Sequence, residues 1–154
     1  MQTSKLLVRA GADCRRRTID GTSALHWAFW NQQLLTCKYL LSVVSWSSPQ
    51  VNEANSYDCT ATHFIGLNGD IDCLKLFVEH GGNVFKRNNQ GHTIVHKAAW
   101  RGREKLLAYL EEAFPERFRV EAAKLDGNGY TPSDISSLGG HDTLTSWFSD
   151  LLNN

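Results

Sequence analysis

Apolar and polar positions between Gly91 and Leu110 (GHTIVHKAAWRGREKLLAYL) fall into two short helical patterns separated by a turn. Thr93 is placed to cap the first helix, predicted over Ile94–Arg101. Gly102 is a helix-stopping residue able to take positive φ. Leu106, Leu107 and Leu110 then mark the apolar face of the second helix. Each helix is shorter than the roughly 12–15 residues at which an isolated helix becomes even marginal in water. Neighbours of the same kind are therefore required.

The chain supplies them. The frame Gly91-His92-Thr93-Ile94-Val95-His96-Lys97-Ala98 has counterparts at Gly21–Ala28 (GTSALHWA), Asp58–Ile65 (DCTATHFI) and Gly129–Ser136 (GYTPSDIS). Successive offsets are 37, 33 and 38 residues, a base period of 33 with insertions of four and five. The second half of the unit repeats too, most cleanly at Asn68–Val84, and Leu6–Cys14 reads as the tail of another copy. Gly11 precedes Gly21 by ten residues, as Gly81 precedes Gly91.

On these residues the chain resembles the ankyrin repeat family, whose units have a 33-residue period and a T-P-L-H-x-A signature. The resemblance implies an all-α solenoid of stacked helix-turn-helix units with short β-hairpin turns. It covers residues 1–154 as one domain: a partial repeat at 1–17, then repeats from about Thr18, Asn55, Asn88 and Asp126. The motif proline is kept only at Pro132, Asp134 replaces the histidine, and Asp58 replaces the glycine of the second unit. Helix pairs are expected near 24–31/34–44, 61–68/71–79, 94–101/104–113 and 132–138/141–152. Two longer connections interrupt the rhythm. Val43–Ala54 carries Trp46 and Pro49, and Ala113–Leu125 opens with Phe114-Pro115 and has room for an extra short helix. Both are expected to be surface elaborations. The last helix places Leu144, Trp147, Phe148 and Leu151 on one stripe, suited to a capping unit. Met1–Arg9 resembles a second helix without its first, so the sequence is expected to be a piece of a longer array or a reading frame begun too late.

Composition narrows the functions. Sixteen basic and sixteen acidic residues give a formal net charge of zero, poor electrostatics for a nucleic-acid binder or an anionic membrane. No apolar run reaches the length of a membrane span. Cys14, Cys37, Cys59 and Cys73 form no CxxC pair, and the N-terminus lacks a secretory pattern. A reducing cytoplasmic or nuclear setting is expected. Cys14, Cys37 and Cys73 sit in apolar slots and are expected to be buried, with Cys59 more exposed on a hairpin.

His26, His63 and His96 recur in register. Repeats spaced by roughly 8–10 Å keep the three from converging on a metal ion. The family resemblance instead implies that each ties down its turn with Ser23, Thr60 or Thr93. There is no Walker loop, GxSxG or HExxH. No catalytic residue, metal or cofactor is expected, and intrinsic catalysis through Cys59 or His92 is a weak third reading. Arg15-Arg16-Arg17 reads as a solvated loop.

The resemblance also implies where a partner would sit: on the concave face of hairpin tips and first helices. Carried over by repeat, the candidate positions are Asp20, Trp30 and Asn31; Tyr57, Leu67 and Asn68; Arg87, Gln90, His92, Trp100 and Arg101; and Asn128, Tyr130 and Leu138. Thr22, Ser56, Cys59 and Asn89 adjoin them. Trp, Tyr and Arg are enriched at binding hot spots. The expected function is a non-enzymatic interaction module, monomeric, binding a protein or peptide. The alternative is the recruiting or regulatory domain of a larger enzyme such as an acyltransferase, kinase or ubiquitin ligase.

Overall fold

The computed structural model describes residues 2–43 and 48–153. Eleven helices lie among them: α1 (Gln2–Arg9), α2 (Ala24–Trp30), α3 (Leu34–Val43), α4 (Ser48–Val51), α5 (Ala61–Asn68), α6 (Ile71–Glu79), α7 (Ile94–Trp100), α8 (Glu104–Ala113), α9 (Pro115–Ala122), α10 (Pro132–Leu138) and α11 (Asp142–Asn153). The four expected pairs are α2/α3, α5/α6, α7/α8 and α10/α11. First helices stack in one row, α2 on α5, α5 on α7 and α7 on α10, and α3 packs on α6 behind them.

The rows join through one continuous core. Phe29, Ile65, Leu74, Phe77, Leu106, Leu107, Leu110, Phe118 and Phe148 are fully buried. The Phe29 and Phe77 rings meet edge to face at 5.9 Å, a favoured aromatic geometry. Gly66 lets α5 approach α7 closely: a Cβ there would lie 2.9 Å from the Ile94 carbonyl oxygen. On α11, Leu144, Phe148 and Leu151 are buried, and Trp147 packs partly against the core.

The hairpins are turns rather than ladders. Among the described residues there is no strand, only an isolated antiparallel bridge between Arg17 and Ser23. One polar side chain opens each turn. Thr18 Oγ1 accepts the Thr22 amide, and Asn55, Asn88 and Asp126 Oδ1 accept the amides of Cys59, His92 and Tyr130 at 2.9–3.0 Å. These side chains satisfy backbone donors that a tight turn would otherwise leave unpaired. Neighbouring tips are then linked by backbone bonds, Ser56 to Asp20, Asn89 to Tyr57 and Gly127 to Gln90.

Three expectations change. The 113–125 connection is not a surface elaboration. Pro115 starts α9, and Phe118, Glu121 and Ala122 are buried where α9 packs against α7, α8 and α11. Glu121 Oε1 lies 2.9 Å from Arg117 and 2.8 Å from Lys124, so two cations offset its burial at that oxygen. In the 43–54 connection, Val51 joins the core at 2% exposure. Trp46 and the side chain of Pro49 lie outside the described residues. Cys37 and Cys73 are buried as expected, but Cys14 is only partly covered, because α1 buries none of its own residues above it.

Candidate functional site

The site begins with the residues that hold the hairpins against the helices. His26 accepts the Ser23 amide at Nδ1 (3.2 Å), His63 that of Thr60 (3.1 Å) and His96 that of Thr93 (3.3 Å). The matching hydroxyls lie 2.7–3.3 Å from the same nitrogens. With Nδ1 accepting, Nε2 carries the proton, and it donates to the carbonyls of Glu53, His92 and Lys124 respectively. Each ring thus caps its own helix and grips the next stretch of chain. Burial pushes all three pKa values down to about 4, so the rings are neutral at physiological pH. In the fourth unit Asp134 Oδ2 takes the Thr131 amide and hydroxyl at 2.8 and 2.7 Å. A carboxylate reproduces the accepting half of the histidine and has no donor for an onward bond.

Hairpins held this way stand beside the first helices and leave a groove of about 410 Å³ between them. Its helical wall is Trp27 and Trp30 from α2, Phe64 and Leu67 from α5, and Lys97 from α7. Its hairpin wall includes Asp20, Thr22, Tyr57, Cys59, Asn89 and Gln90. Trp30 lies 4.9 Å from Phe64 and 6.3 Å from Trp27, ring to ring. Trp27, Trp30 and Tyr57 remain 51%, 42% and 62% exposed, which is unusual for side chains of such apolar area. Asp20 is held below the usual carboxylate range by the Thr18 hydroxyl, followed by the amide and hydroxyl of Thr22. Burial lowers the pKa of Lys97.

Five of the sequence-derived positions therefore share the groove: Asp20, Trp30, Tyr57, Leu67 and Gln90. Three others serve the stack. Asn68 Nδ2 donates to the carbonyls of Phe29 and Trp30 at 2.7 and 3.1 Å, closing the end of α2. Arg87 Nε and Nη2 donate to the carbonyls of Gly91 and Leu125. His92, expected on the surface, is part-buried, with Nε2 2.9 Å from Asp126 Oδ2 and its ring stacked on His96 at 5.6 Å. Asn31 and Arg101 are exposed C-cap residues of α2 and α7. Trp100 and Leu138 end α7 and α10 at 48% and 62% exposure, and Asn128 and Tyr130 are exposed on the fourth hairpin. The basic run at 15–17 is not all free, since Arg17 pairs with Glu53.

Trp27, Phe64 and Lys97 were not among the sequence-derived positions. They occupy one slot, the residue after the histidine of the repeated frame. That slot lies three residues before Trp30, Leu67 and Trp100, on the same helical face. The three-residue offset was the available signal.

The helix pairs, the projecting turns and the groove they enclose define a helical repeat protein of the binding type. Residues 43–118 match the family model for ankyrin repeats in three copies, and this stretch belongs to the ankyrin repeat family. It is 26% identical over 106 residues to the potassium channel AKT1 of Arabidopsis thaliana, covering 69% of this chain and 11% of the channel. The AKT1 channel of Oryza sativa subsp. indica is 28% identical over 88 residues, 57% of this chain and 8% of the channel. Protein phosphatase 1 regulatory subunit 27 of Mus musculus is 33% identical over 75 residues, 49% of this chain and 46% of that protein. The chain thus spans about a tenth of the channels' length and under half of the regulatory subunit's. Ankyrin repeats are protein-interaction modules. Among the described residues, no helix is long and apolar enough to cross a membrane, and no group of three or more His, Cys, Asp or Glu side chains could hold a metal ion.

Proposed function

We propose that the chain is a non-enzymatic interaction module whose concave groove binds a segment of a protein partner. One observation carries this reading: a groove of about 410 Å³ walled by exposed aromatic side chains and rimmed by hairpin side chains. Concave, mainly apolar sites with a few polar groups are the usual form of a recognition pocket. Trp27, Trp30, Phe64 and Leu67 serve as the apolar floor. Asp20, Tyr57, Asn89 and Gln90 serve the polar rim, and Trp100, Arg101, Tyr130 and Leu138 extend the same face beyond the groove. We read residues 1–154 as one stack acting as a monomer. The four free thiols suit a cytoplasmic or nuclear setting.

The test is panning of a peptide display library on the full chain. Peptides retained by the native protein should be lost when Trp30→Ala and Phe64→Ala are combined, with the helical circular dichroism signal kept. Retained peptides indifferent to both substitutions would sink the reading. Trp100→Ala with Arg101→Ala reports whether contact extends past the groove.

A second reading makes the same face the recruiting or regulatory segment of a larger protein. The relatives favour it, since the matched stretch is 11% of one channel and the mouse protein is named as a phosphatase regulatory subunit.

A further inference from the structure

We infer that the groove selects a partner segment bearing a carboxylate two or three residues from an apolar anchor, and that Lys97 is the residue that receives it. The inference rests on the groove reading above and specifies its occupant. Trp27, Phe64 and Lys97 are the fourth residues of α2, α5 and α7. The slot that is aromatic in two helices becomes an ammonium in the third, so an apolar stripe ends in a positive charge inside one groove.

That charge has no anion. Among the described residues no carboxylate comes within ion-pair distance of Lys97, and its ammonium donates a long hydrogen bond, 3.5 Å, to Gln90 Oε1. The carboxylates nearby are engaged elsewhere. Asp58 pairs with Lys86 at 3.4 Å, Asp126 with His92 at 2.9 Å, and Asp20 accepts from Thr18 and Thr22. Lys97 is itself half-buried, and its charge adds to the burial that lowers the pKa of the neighbouring His63 and His92. A part-desolvated ammonium without a counter-charge favours an incoming anion. Stacked helices are roughly 8–10 Å apart. An extended chain advances about 3.3 Å per residue. A side chain seated at Phe64 and a carboxylate at Lys97 are therefore two or three residues apart. The hairpin side offers Asn89 and Gln90, whose amides suit a peptide backbone. A peptide fits this groove better than a polyanion, because it holds one cation among aromatic walls and the chain has no net charge.

The experiment pans a random peptide library of about twelve residues, a span long enough to cross three helices, on the full chain, then measures selected peptides against three variants. The Trp30→Ala/Phe64→Ala pair marks groove-dependent peptides. Lys97→Gln removes the charge and keeps most of the stem. Lys97→Glu reverses it. Groove-dependent peptides should be enriched in Asp or Glu two or three residues from an aromatic or aliphatic residue. Their affinity should fall about tenfold or more with Lys97→Gln, as for a truncated partner of a desolvated pair. Lys97→Glu should recover binding when the acidic residue is exchanged for Lys. Groove-dependent peptides without acidic bias, or with affinity unmoved by Lys97→Gln, overturn the carboxylate inference and leave the groove reading intact. Peptides indifferent to Trp30 and Phe64, or none retained at all, overturn both. Melting curves of each variant separate lost binding from lost fold.

Discussion

His63 and His92 are joined ring to backbone: Nε2 of His63 donates to the His92 carbonyl at 3.2 Å while Nδ1 accepts the Thr60 amide. The same bond runs from His26 to Glu53 and from His96 to Lys124. Holding both bonds at once requires a neutral imidazole, because protonation of Nδ1 removes the acceptor for the amide at the helix start.

Stability should therefore fall with acid. Burial depresses the three histidines from 6.5 to about 4 in the folded chain. The unfolded chain takes up protons first, so their contribution is full above pH 6.5 and is lost as pH falls toward about 4. Each histidine contributes a slope of up to about 1.4 kcal/mol per pH unit in that window. Denaturant melts at a series of pH values would show it. A flat profile across the window would contradict the assignment.

Gly66→Ala should destabilise the stack by about 1–3 kcal/mol, the usual cost of overpacking. The added Cβ would meet the Ile94 carbonyl at 2.9 Å and Lys97 Cβ at 3.0 Å. Alanine is the better helix former by about 1 kcal/mol, so steric conflict and propensity oppose each other. Equilibrium unfolding decides: a gain in stability would mean that α7 moves aside freely.

Asn68→Ala should cost about 1–2 kcal/mol, since two carbonyls at the end of α2 lose their donor. Its effect on groove peptides should follow stability alone. Loss of binding at unchanged melting temperature would instead assign Asn68 to the partner.

Leu107→Ala, at a fully buried position, should cost about 2–5 kcal/mol. Leu138→Ala, 62% exposed, should stay within about 0.5 kcal/mol. Thermal melts of the pair test the register, and comparable losses would refute it.

The helix pairs were legible because the repeated frame marks both ends of each unit. A hydroxyl and a histidine start the first helix at Ser23, Thr60 and Thr93, and an Asx or Thr side chain opens each turn at the spacing of the period. The groove was half legible. Trp30 and Leu67 followed from their slot, but Trp27 and Phe64, three residues earlier on the same helical faces, were not singled out. His92 misled because one residue separates a ring facing solvent from a ring facing the next hairpin. The role of Asn68 could not be read, since its carbonyl partners lie 38 and 39 residues away. The helix α9 was allowed for, but its burial was hidden for a related reason: its apolar content is low, and its buried Glu121 reads as a surface residue until Arg117 and Lys124 are placed beside it.

α9 adds a helix to the outer row at a point where the inner row has none to add. α7 still touches α10 directly, while behind them α9 takes its place against both α8 and α11. The thirteen residues of the connection thereby tie the last helix pair to the third through contacts of their own, beyond those that α7 makes with α10.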